Sequence, residues 1–308
     1  MGPEKILFIY FFQPFAQYRN PFTFYYAQSY PLPPKTTLIG MLQRVTERYY
    51  DDDFWNLQVS IHGGFESKFW NLQQLIGTSK ITFRRIGDRP FIHFKTELQI
   101  QGSAEHLPLY GSKTKMLSKA YRKGMTRQEE LFNGHIYVFI KGNTELLDEI
   151  YDAFSKPGTV LRLGRSEDVI FVRGMHWVEN SNNIVVEEKK VESTLMLLFP
   201  TYIRLRADNG SEIKLRERCL RRFATFAIPI RQYFYIISGK KQKKVKNIYD
   251  LMGVEFKNRR RDVYFESVIW TGFNAILEFD APTKAMFIKI NDRTVDLKFW
   301  IIDEFGWL

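Results

Sequence analysis

A proline-rich elbow followed by an amphipathic helix is the feature of this sequence that most restricts its fold. The stretch 30–50 is YPLPPKTTLIGMLQRVTERYY. Each of its three prolines fixes its own φ and disfavours helix in the residue before it, so the chain enters the helix from an extended segment. Apolar residues recur at i, i+3, i+4 and i+7 from Leu38 to Val45, which predicts one buried helix face. Thr36 or Thr37 is the expected N-cap.

The start of this helix is suited to an anion, but it also fits an ordinary capped helix after a turn. The free N–H groups and the positive dipole end of a helix N-terminus attract phosphates. Lys35 stands beside them in the sequence, and we expect its side chain at the surface. Taken alone, the elbow leaves both interpretations open.

A second motif, at residues 161–168, has the sequence LRLGRSED. Gly164 permits a tight turn or a close approach of the backbone, and Arg165 offers a planar fork that matches phosphate or carboxylate. The alternative is an ion pair within the chain, between Arg165 and either Glu167 or Asp168. The sequence favours neither.

Together with the segment FAQYRNP, which contains Arg19, these motifs resemble the CRISPR-associated family-five RAMP (repeat-associated mysterious) proteins. In that family an Arg-containing segment precedes a Tyr-Pro-x-Pro-Pro-[Lys/Ser]-[Thr/Ser] elbow, a helix with Gly-[Met/Leu]-Leu and a Leu-Gly-Arg turn. The corresponding residues here are Arg19, Tyr30–Thr37, Gly40–Leu42 and Leu163–Arg165. The resemblance implies a subunit of a type I Cascade complex that holds the 5′ handle of the guide RNA (crRNA). Its implied partners are the guide RNA, the repeating backbone subunits and the large subunit.

Basic charge is concentrated in two windows of the chain, whose formal net charge is +11. Residues 66–127 hold 12 basic and 4 acidic side chains, and residues 204–261 hold 17 and 5. Such clustering is typical of a polyanion partner, although a solvated basic face would look the same. Within the second window, Lys240–Lys246 and Arg259–Arg261 are expected either to contact RNA, target DNA near the flanking motif or an acidic subunit, or to be solvated.

The order of predicted elements indicates an α+β fold. These elements are a strand over Ile6–Phe12, the elbow helix, a strand from Leu57 that ends in a turn at Gly63-Gly64, a strand over His135–Ile140, a helix capped by Asn143 and a strand over Val169–Val172. This βαβ–βαβ order predicts a ferredoxin-like (RRM-like) domain over 1–184. A small, mostly antiparallel β domain is predicted over 185–308, with Gly239–Lys246 as a loop.

About seventy residues separate the second and third predicted strands, far more than a hairpin needs. Residues 67–132 are therefore predicted to form an inserted, β-rich arm, and the resemblance implies a thumb-like projection at this place. Its cations are interleaved with phenylalanines, as in proteins that bind single-stranded RNA, although the same rings would also form a local core. The residues predicted to bind RNA are Arg19, Lys35, Thr36, Thr37, Arg84, Arg85, Arg89, Lys95, Arg162 and Arg165.

Catalytic motifs are missing from the sequence, which has no P-loop, Rossmann fingerprint, nucleophile elbow or HExxH. The five histidines are scattered, and the single Cys219 excludes a disulfide framework and a Cys-based metal site. We predict no metal, no cofactor and no enzymatic activity. The apolar run at Ile6–Phe12 is too short to span a membrane, so we expect a cytoplasmic protein without membrane contact.

Two other classes of function remain open at this stage. Part of the resembling family cleaves precursor crRNA without metal, using a Tyr-Lys-His set. The nearest residues here are His93 and Lys95 with Tyr110 or Tyr121. A metal-independent endoribonuclease is therefore the alternative function, and a basic adaptor that binds only proteins is a third.

Overall fold

The computed structural model shows an α+β protein in which strands predominate. It describes residues 5–23, 26–86, 89–97, 121–181, 183–239, 241–255, 258–291 and 296–308, and only the backbone of 73–86, 89–97 and 121–126. The contacts divide the chain into two compact units. Unit 1 comprises Met1–Tyr18, Tyr30–Lys68 and Leu131–Leu308, and unit 2 comprises Arg19–Ser29 and Phe69–Glu130. The predicted division into domains 1–184 and 185–308 stays a prediction.

The elements are numbered in chain order. The strands are β1 (Lys5–Ala16), β2 (Tyr26–Ala27), β3 (Gln58–Ile86), β4 (Arg89–Glu97), β5 (Tyr121–Gly142), β6 (Phe171–Trp177), β7 (Ile184–Val191), β8 (Thr194–Leu197), β9 (Tyr202–Arg204), β10 (Ala224–Ser238), β11 (Lys241–Lys244), β12 (Arg259–Trp270), β13 (Ala275–Glu278), β14 (Thr283–Asn291) and β15 (Asp296–Ile301). The α-helices are α1 (Lys35–Val45), α2 (Thr144–Ser155) and α3 (Glu217–Leu220).

The central sheet of unit 1 has the strand order β3–β5–β1–β6. β1 lies between two antiparallel neighbours, with Ile9 opposite Val138 of β5 and Met175 of β6. Successive side chains of a strand point to opposite faces. Ile9 and its alternate neighbours are fully buried in one core with α1 and α2, whereas Phe8 packs on the other face against Phe299 of β15.

The predicted strand end at Gly63-Gly64 is wrong, because β3 continues to Ile86. Gly63 has a φ of +108°, and a Cβ atom there would lie 2.0 Å from the main-chain oxygen of His135. The glycine therefore permits a close approach of β3 to β5 within a continuous strand. A sequence cannot distinguish this use of glycine from a turn when the partner strand is seventy residues away.

Two further boundaries differ from the prediction. Val169 forms only an isolated bridge with Arg162, and β6 begins at Phe171. Lys241–Lys244 form the edge strand β11, paired with β10, where a loop was predicted. Three of its four side chains are exposed, which allows like charges to occupy a sheet edge.

The remaining strands of unit 1 form three smaller sheets, with the orders β11–β10–β12–β9, β15–β14–β7 and β13–β8. Their pairings are antiparallel. In unit 2, β3 and β4 form a hairpin whose register runs from Thr78 opposite Glu97 to Ile86 opposite Arg89. The described backbone of 69–97 and 121–130 belongs to this unit, and its projection as a thumb stays a prediction.

Candidate nucleic-acid interface

The elbow is anchored through the side chain of Tyr30 and the main chain of Leu32. The hydroxyl of Tyr30 donates to the carbonyl oxygen of Ala227 at 2.6 Å. The hydroxyl of Tyr202 donates to the carbonyl oxygen of Leu32 at 2.8 Å and accepts from its N–H at 3.2 Å. Burial raises the pKa of Tyr30 to about 12 and also raises that of Tyr202, so both hydroxyls keep their protons. The elbow is therefore held rigidly by β9 and β10.

The predicted N-cap of α1 is wrong. The cap residue is Pro34, without a side-chain hydrogen bond, and both threonines lie inside the first turn. Thr36 is buried and Thr37 is half-buried. Proline can take this position because its fixed φ suits the entry to a helix and its missing N–H has no partner there in any case.

Lys35 is buried, which corrects the expectation of an exposed cation at the start of the helix. Its Nζ donates to the main-chain oxygen of Leu308 at 2.9 Å. Burial, together with the nearby cations of Arg231 and Arg204, lowers the pKa of Lys35 to about 8. The ammonium group is thus engaged inside unit 1, and its role in RNA binding stays a prediction.

The Leu-Gly-Arg turn is closed by Asp168, whose side chain is fully buried. Arg165 donates to this carboxylate from Nη2 at 2.8 Å, and the main-chain N–H groups of Arg165 and Gln17 donate to its Oδ2 at 2.8 and 3.0 Å. Gly164 has a φ of +114°, and a Cβ atom there would lie 2.7 Å from the same Oδ2. The internal ion pair weighed from the sequence is therefore present, and it ties the turn to the end of β1.

Arg162, three residues before Arg165 in the same turn, has the opposite environment. It is half-buried, and its Nε is inaccessible to solvent without a hydrogen-bond partner. Within the described part of the chain its guanidinium makes no ion pair. Buried donors are almost always paired, so an unpaired guanidinium nitrogen is a candidate for an anionic ligand.

Arg19 and the arm cations lie in unit 2. Arg19 is half-buried, bridges to Ser29 through its main chain, and makes no side-chain ion pair with the residues that the structure describes. The backbone of Arg84, Arg85, Arg89 and Lys95 lies on the β3–β4 hairpin. Their side chains lie outside the described set, and so do His93, Tyr110 and Tyr121 of the alternative nuclease hypothesis. The RNA contacts of this group stay predictions.

The C-terminal basic clusters are partly engaged within unit 1. Lys243 pairs with Asp250 at 2.7 Å, and Arg259 donates to main-chain oxygens at 2.8 and 3.2 Å. Lys244 pairs with Asp52 at 2.6 Å. Such contacts favour an internal role for these three cations over a purely solvated loop.

Sequence reasoning missed a pair of side chains on the sheet face opposite the helices. The hydroxyl of Tyr10 and Nδ1 of His135 are 2.5 Å apart. His135 is exposed, and Arg173 of β6, also exposed, lies 5.2 Å over the ring of Phe12 on β1. Tyr10 and His135 are 125 residues apart in sequence, and only the pairing of β1 with β5, in which Phe12 is opposite His135, brings them together.

Two findings concern the described residues as a whole. No three His, Cys, Asp or Glu side chains among them are grouped in a way that would hold a metal ion. Among the described helices, none has the length and apolar character needed to cross a bilayer.

Comparisons with known proteins give one family and several distant structures. Residues 6–236 match the family described as CRISPR-associated protein (Cas_Cas5). No curated protein matches the chain. A chain of a CRISPR RNA-guided surveillance complex is similar at 12% identity and a TM-score of 0.40, over 90% of this chain and 91% of the other. A CRISPR protein from Archaeoglobus fulgidus is similar at 10% identity and a TM-score of 0.31, over 96% and 98%.

The family match extends over three quarters of the chain and includes the elbow, α1 and the Leu-Gly-Arg turn. The structural similarities are remote, and the assignment rests on the sequence match. The predicted family is confirmed: the chain belongs to the CRISPR-associated proteins of the Cas5 family.

Proposed function

We propose that this protein is a non-catalytic RNA-binding subunit of a type I CRISPR surveillance complex. It caps the 5′ handle of the crRNA and fixes where the backbone subunits begin. The observation that carries the proposal is the family match over 6–236, which contains both motifs predicted to face the RNA. We also infer a ferredoxin-like arrangement in unit 1, which the strand order β3–β5–β1–β6 supports because it corresponds to 2-3-1-4 among the four strands of that fold.

The contacts of the two motifs suggest a division of labour between neighbouring arginines. Arg165 is engaged with the buried Asp168 and stabilises the turn. Arg162 is half-buried and makes no ion pair with the described residues, so its guanidinium is available for a phosphate. Arg19 has no ion pair within the described residues either. We therefore assign phosphate binding to Arg162 and Arg19, and a positioning role to Arg165.

The test is the salt dependence of binding to a fluorescent RNA that carries the 5′ handle. For single strands, log K falls by about 0.7 per contacted phosphate for each tenfold rise in salt. Arg162→Ala should weaken binding about tenfold or more and reduce this slope by about one contact, with unchanged thermal stability. Arg165→Ala should instead lower the melting temperature, because it leaves the carboxylate of Asp168 buried without its cation.

A matched control is Arg206→Ala, since Arg206 is exposed on unit 1 and its one ion pair with the described residues is with Glu212. It should leave both affinity and slope unchanged. An affinity for handle RNA that does not change between low and moderate salt would defeat the proposal. Equal losses of affinity for the Arg162 and Arg206 variants would defeat the assignment of Arg162.

The second candidate function, a metal-independent endoribonuclease, is favoured by one observation. Tyr10 and the exposed His135 form a hydrogen-bonded pair, and burial together with the nearby Arg173 lowers the pKa of His135, so its neutral ring can accept a proton at pH 7. Incubation with repeat RNA in EDTA separates the candidates. Cleavage that is lost in His135→Ala would replace the non-catalytic proposal with this one.

A further inference from the structure

An aromatic cleft of about 500 Å³ opens on the face of the central sheet of unit 1 that is opposite the helices. Tyr10 and Tyr137 are directly opposite each other on β1 and β5, and their ring centroids are 4.8 Å apart. Tyr137 in turn contacts Phe199 at 5.0 Å. The volume falls within the range of about 300–1,000 Å³ that is usual for small-molecule sites. The cleft is therefore lined by aromatic side chains and has enough volume for a planar ligand.

Two glycines shape its walls. A Cβ atom at Gly64 would lie 2.8 Å from Cζ of Phe273, and a Cβ atom at Gly134 would lie 2.3 Å from Cε1 of Phe65. The rings of Phe273 and Phe65 therefore pack directly on the main chain of these glycines. Phe273 lines the cleft and is 56% exposed, so its ring is accessible to a ligand. These rings are in place before any ligand arrives.

The rim of the cleft carries a donor and an acceptor. Nδ2 of Asn133 donates to Oε2 of Glu66 at 2.5 Å, which fixes this carboxylate at the edge. Its Oε1 has no hydrogen bond with the residues that the structure describes. In the tautomer whose Nδ1 accepts from the hydroxyl of Tyr10, the ring proton lies on Nε2, and His135 then presents an N–H donor.

A cation lies close to this rim. Arg173 is exposed and makes no ion pair with the described residues, and its charge acts on His135. Aromatic faces beside an available guanidinium are the combination with which proteins bind single-stranded nucleic acid, the rings stacking on bases and the cation meeting phosphate.

We propose that this cleft binds one unstacked RNA base that carries an exocyclic amino group, stacked on the aromatic rings and read by Glu66 and His135. The amino group donates to the carboxylate, and a neighbouring ring nitrogen accepts from Nε2 of His135. Adenine and cytosine present this pair of groups side by side, and uracil has no amino group. The inference rests on the proposed function for its RNA ligand, and it adds a base-reading site away from the elbow.

An apolar side chain from a protein partner is the competing occupant. It would fill the aromatic part of the cleft but would remove water from the carboxylate of Glu66 and the N–H of His135 without replacing their hydrogen bonds. A base satisfies both groups, and the exposed Arg173 suits an anionic ligand better than an apolar one.

The test uses free nucleosides on the full chain, because nucleosides carry no phosphate and so do not depend on the phosphate contacts of the proposed function. Saturation-transfer NMR should detect the base protons of adenosine and cytidine, with a much weaker transfer to uridine. Phe273→Ala should abolish the transfer, and Glu66→Ala should remove the preference over uridine. Tyr249→Ala is the matched control, since Tyr249 is a 75% exposed ring outside the cleft.

With RNA, the chain should bind short oligoadenylate at least about tenfold more tightly than oligouridylate at one salt concentration, and Glu66→Ala should equalise the two. The slope of log K against log salt should be the same for the parent and for Glu66→Ala. Equal binding of all nucleosides, or a preference that survives in Glu66→Ala, overturns the cleft proposal and leaves the proposed function intact. Nucleoside binding without salt-sensitive RNA affinity would instead defeat the proposed function. Loss of a protein contact in Phe273→Ala without any nucleoside binding would assign the cleft to a protein partner.

Discussion

Replacing Lys35 by methionine should change how the stability of the protein depends on pH. Burial, with a smaller contribution from the charges of Arg231 and Arg204, lowers the pKa of Lys35 from 10.5 to about 8. Between these two values the unfolded chain binds a proton that the folded chain does not, so the free energy of unfolding rises with pH through this window. A pKa difference of about 2.5 corresponds to about 3.4 kcal/mol in total.

About 2 kcal/mol of this should appear between pH 7.5 and pH 9.5, where the linkage relation is steepest for this pair of pKa values. The assay is guanidinium unfolding at pH 7.5, 8.5 and 9.5 for the parent protein and Lys35→Met, which replaces the ammonium group but keeps an unbranched side chain of nearly the same length. The difference between the two proteins isolates Lys35, because the buried tyrosines with raised pKa are common to both. Lys214→Met, at an exposed lysine, is the control and should follow the parent.

Parallel pH profiles for the parent and Lys35→Met would refute the reasoning, because they would mean that the ammonium group is as well solvated in the folded protein as in the unfolded chain. In that case the exposed cation expected from the sequence would be restored at the elbow. A steeper profile in the parent alone would instead show that a substitution of Lys35 changes folding stability, so that such a variant is a poor probe of RNA binding.

Two other predictions concern stability. Burial lowers the pKa of His62 to about 3, so below pH 6.5 the unfolded chain takes up a proton that the folded chain does not. The free energy of unfolding of the parent should therefore fall by about 3 kcal/mol between pH 6.5 and pH 4 relative to that of His62→Leu. Equal acid sensitivity of the two proteins in unfolding experiments would contradict this. Gly164→Ala should cost roughly 2–4 kcal/mol, from backbone strain plus the displaced carboxylate of Asp168. Gly210 also has a positive φ, +83°, but a Cβ atom there would meet open space, so Gly210→Ala is the control for backbone strain alone. Thermal melts that show equal losses of stability for the two variants would argue against crowding at the turn.

Some local features of the fold could be predicted from the sequence, although the N-cap of α1 was wrongly placed at Thr36 or Thr37. The helix α2 begins after Asn143, whose side chain accepts from the N–H of Glu145 at 2.9 Å, as the capping pattern indicated. The ion pair between Arg165 and Asp168 spans only three residues and was one of two alternatives that the sequence left open. Both depend on residues within one turn of chain, where spacing alone fixes what can meet.

Features that depend on distant residues were not predictable. The burial of Lys35 depends on Leu308, which is 273 residues away in sequence. Gly63 looked like a turn because its close neighbour, the main chain of His135, belongs to another strand. The cleft likewise depends on Tyr10, which gave no motif of its own. Sequence patterns and residue propensities predict contacts between residues that are close in sequence, whereas contacts between distant residues depend on the register of the sheet.

The residues that make the family motifs recognisable are mainly those that hold the backbone in place. Tyr30 and Lys35 are buried in the elbow, and Gly164 and Arg165 fit around the carboxylate of Asp168. Because their polar groups already have partners inside the chain, a ligand would have to break these contacts to use them, at a cost of about 1–3 kcal/mol for each buried group left unpaired. Contacts to RNA are therefore expected from neighbours of the motifs that lack partners. A motif of this kind identifies the scaffold of a binding site, and the ligand-contacting residues have to be found by asking which charged groups beside it remain unpaired.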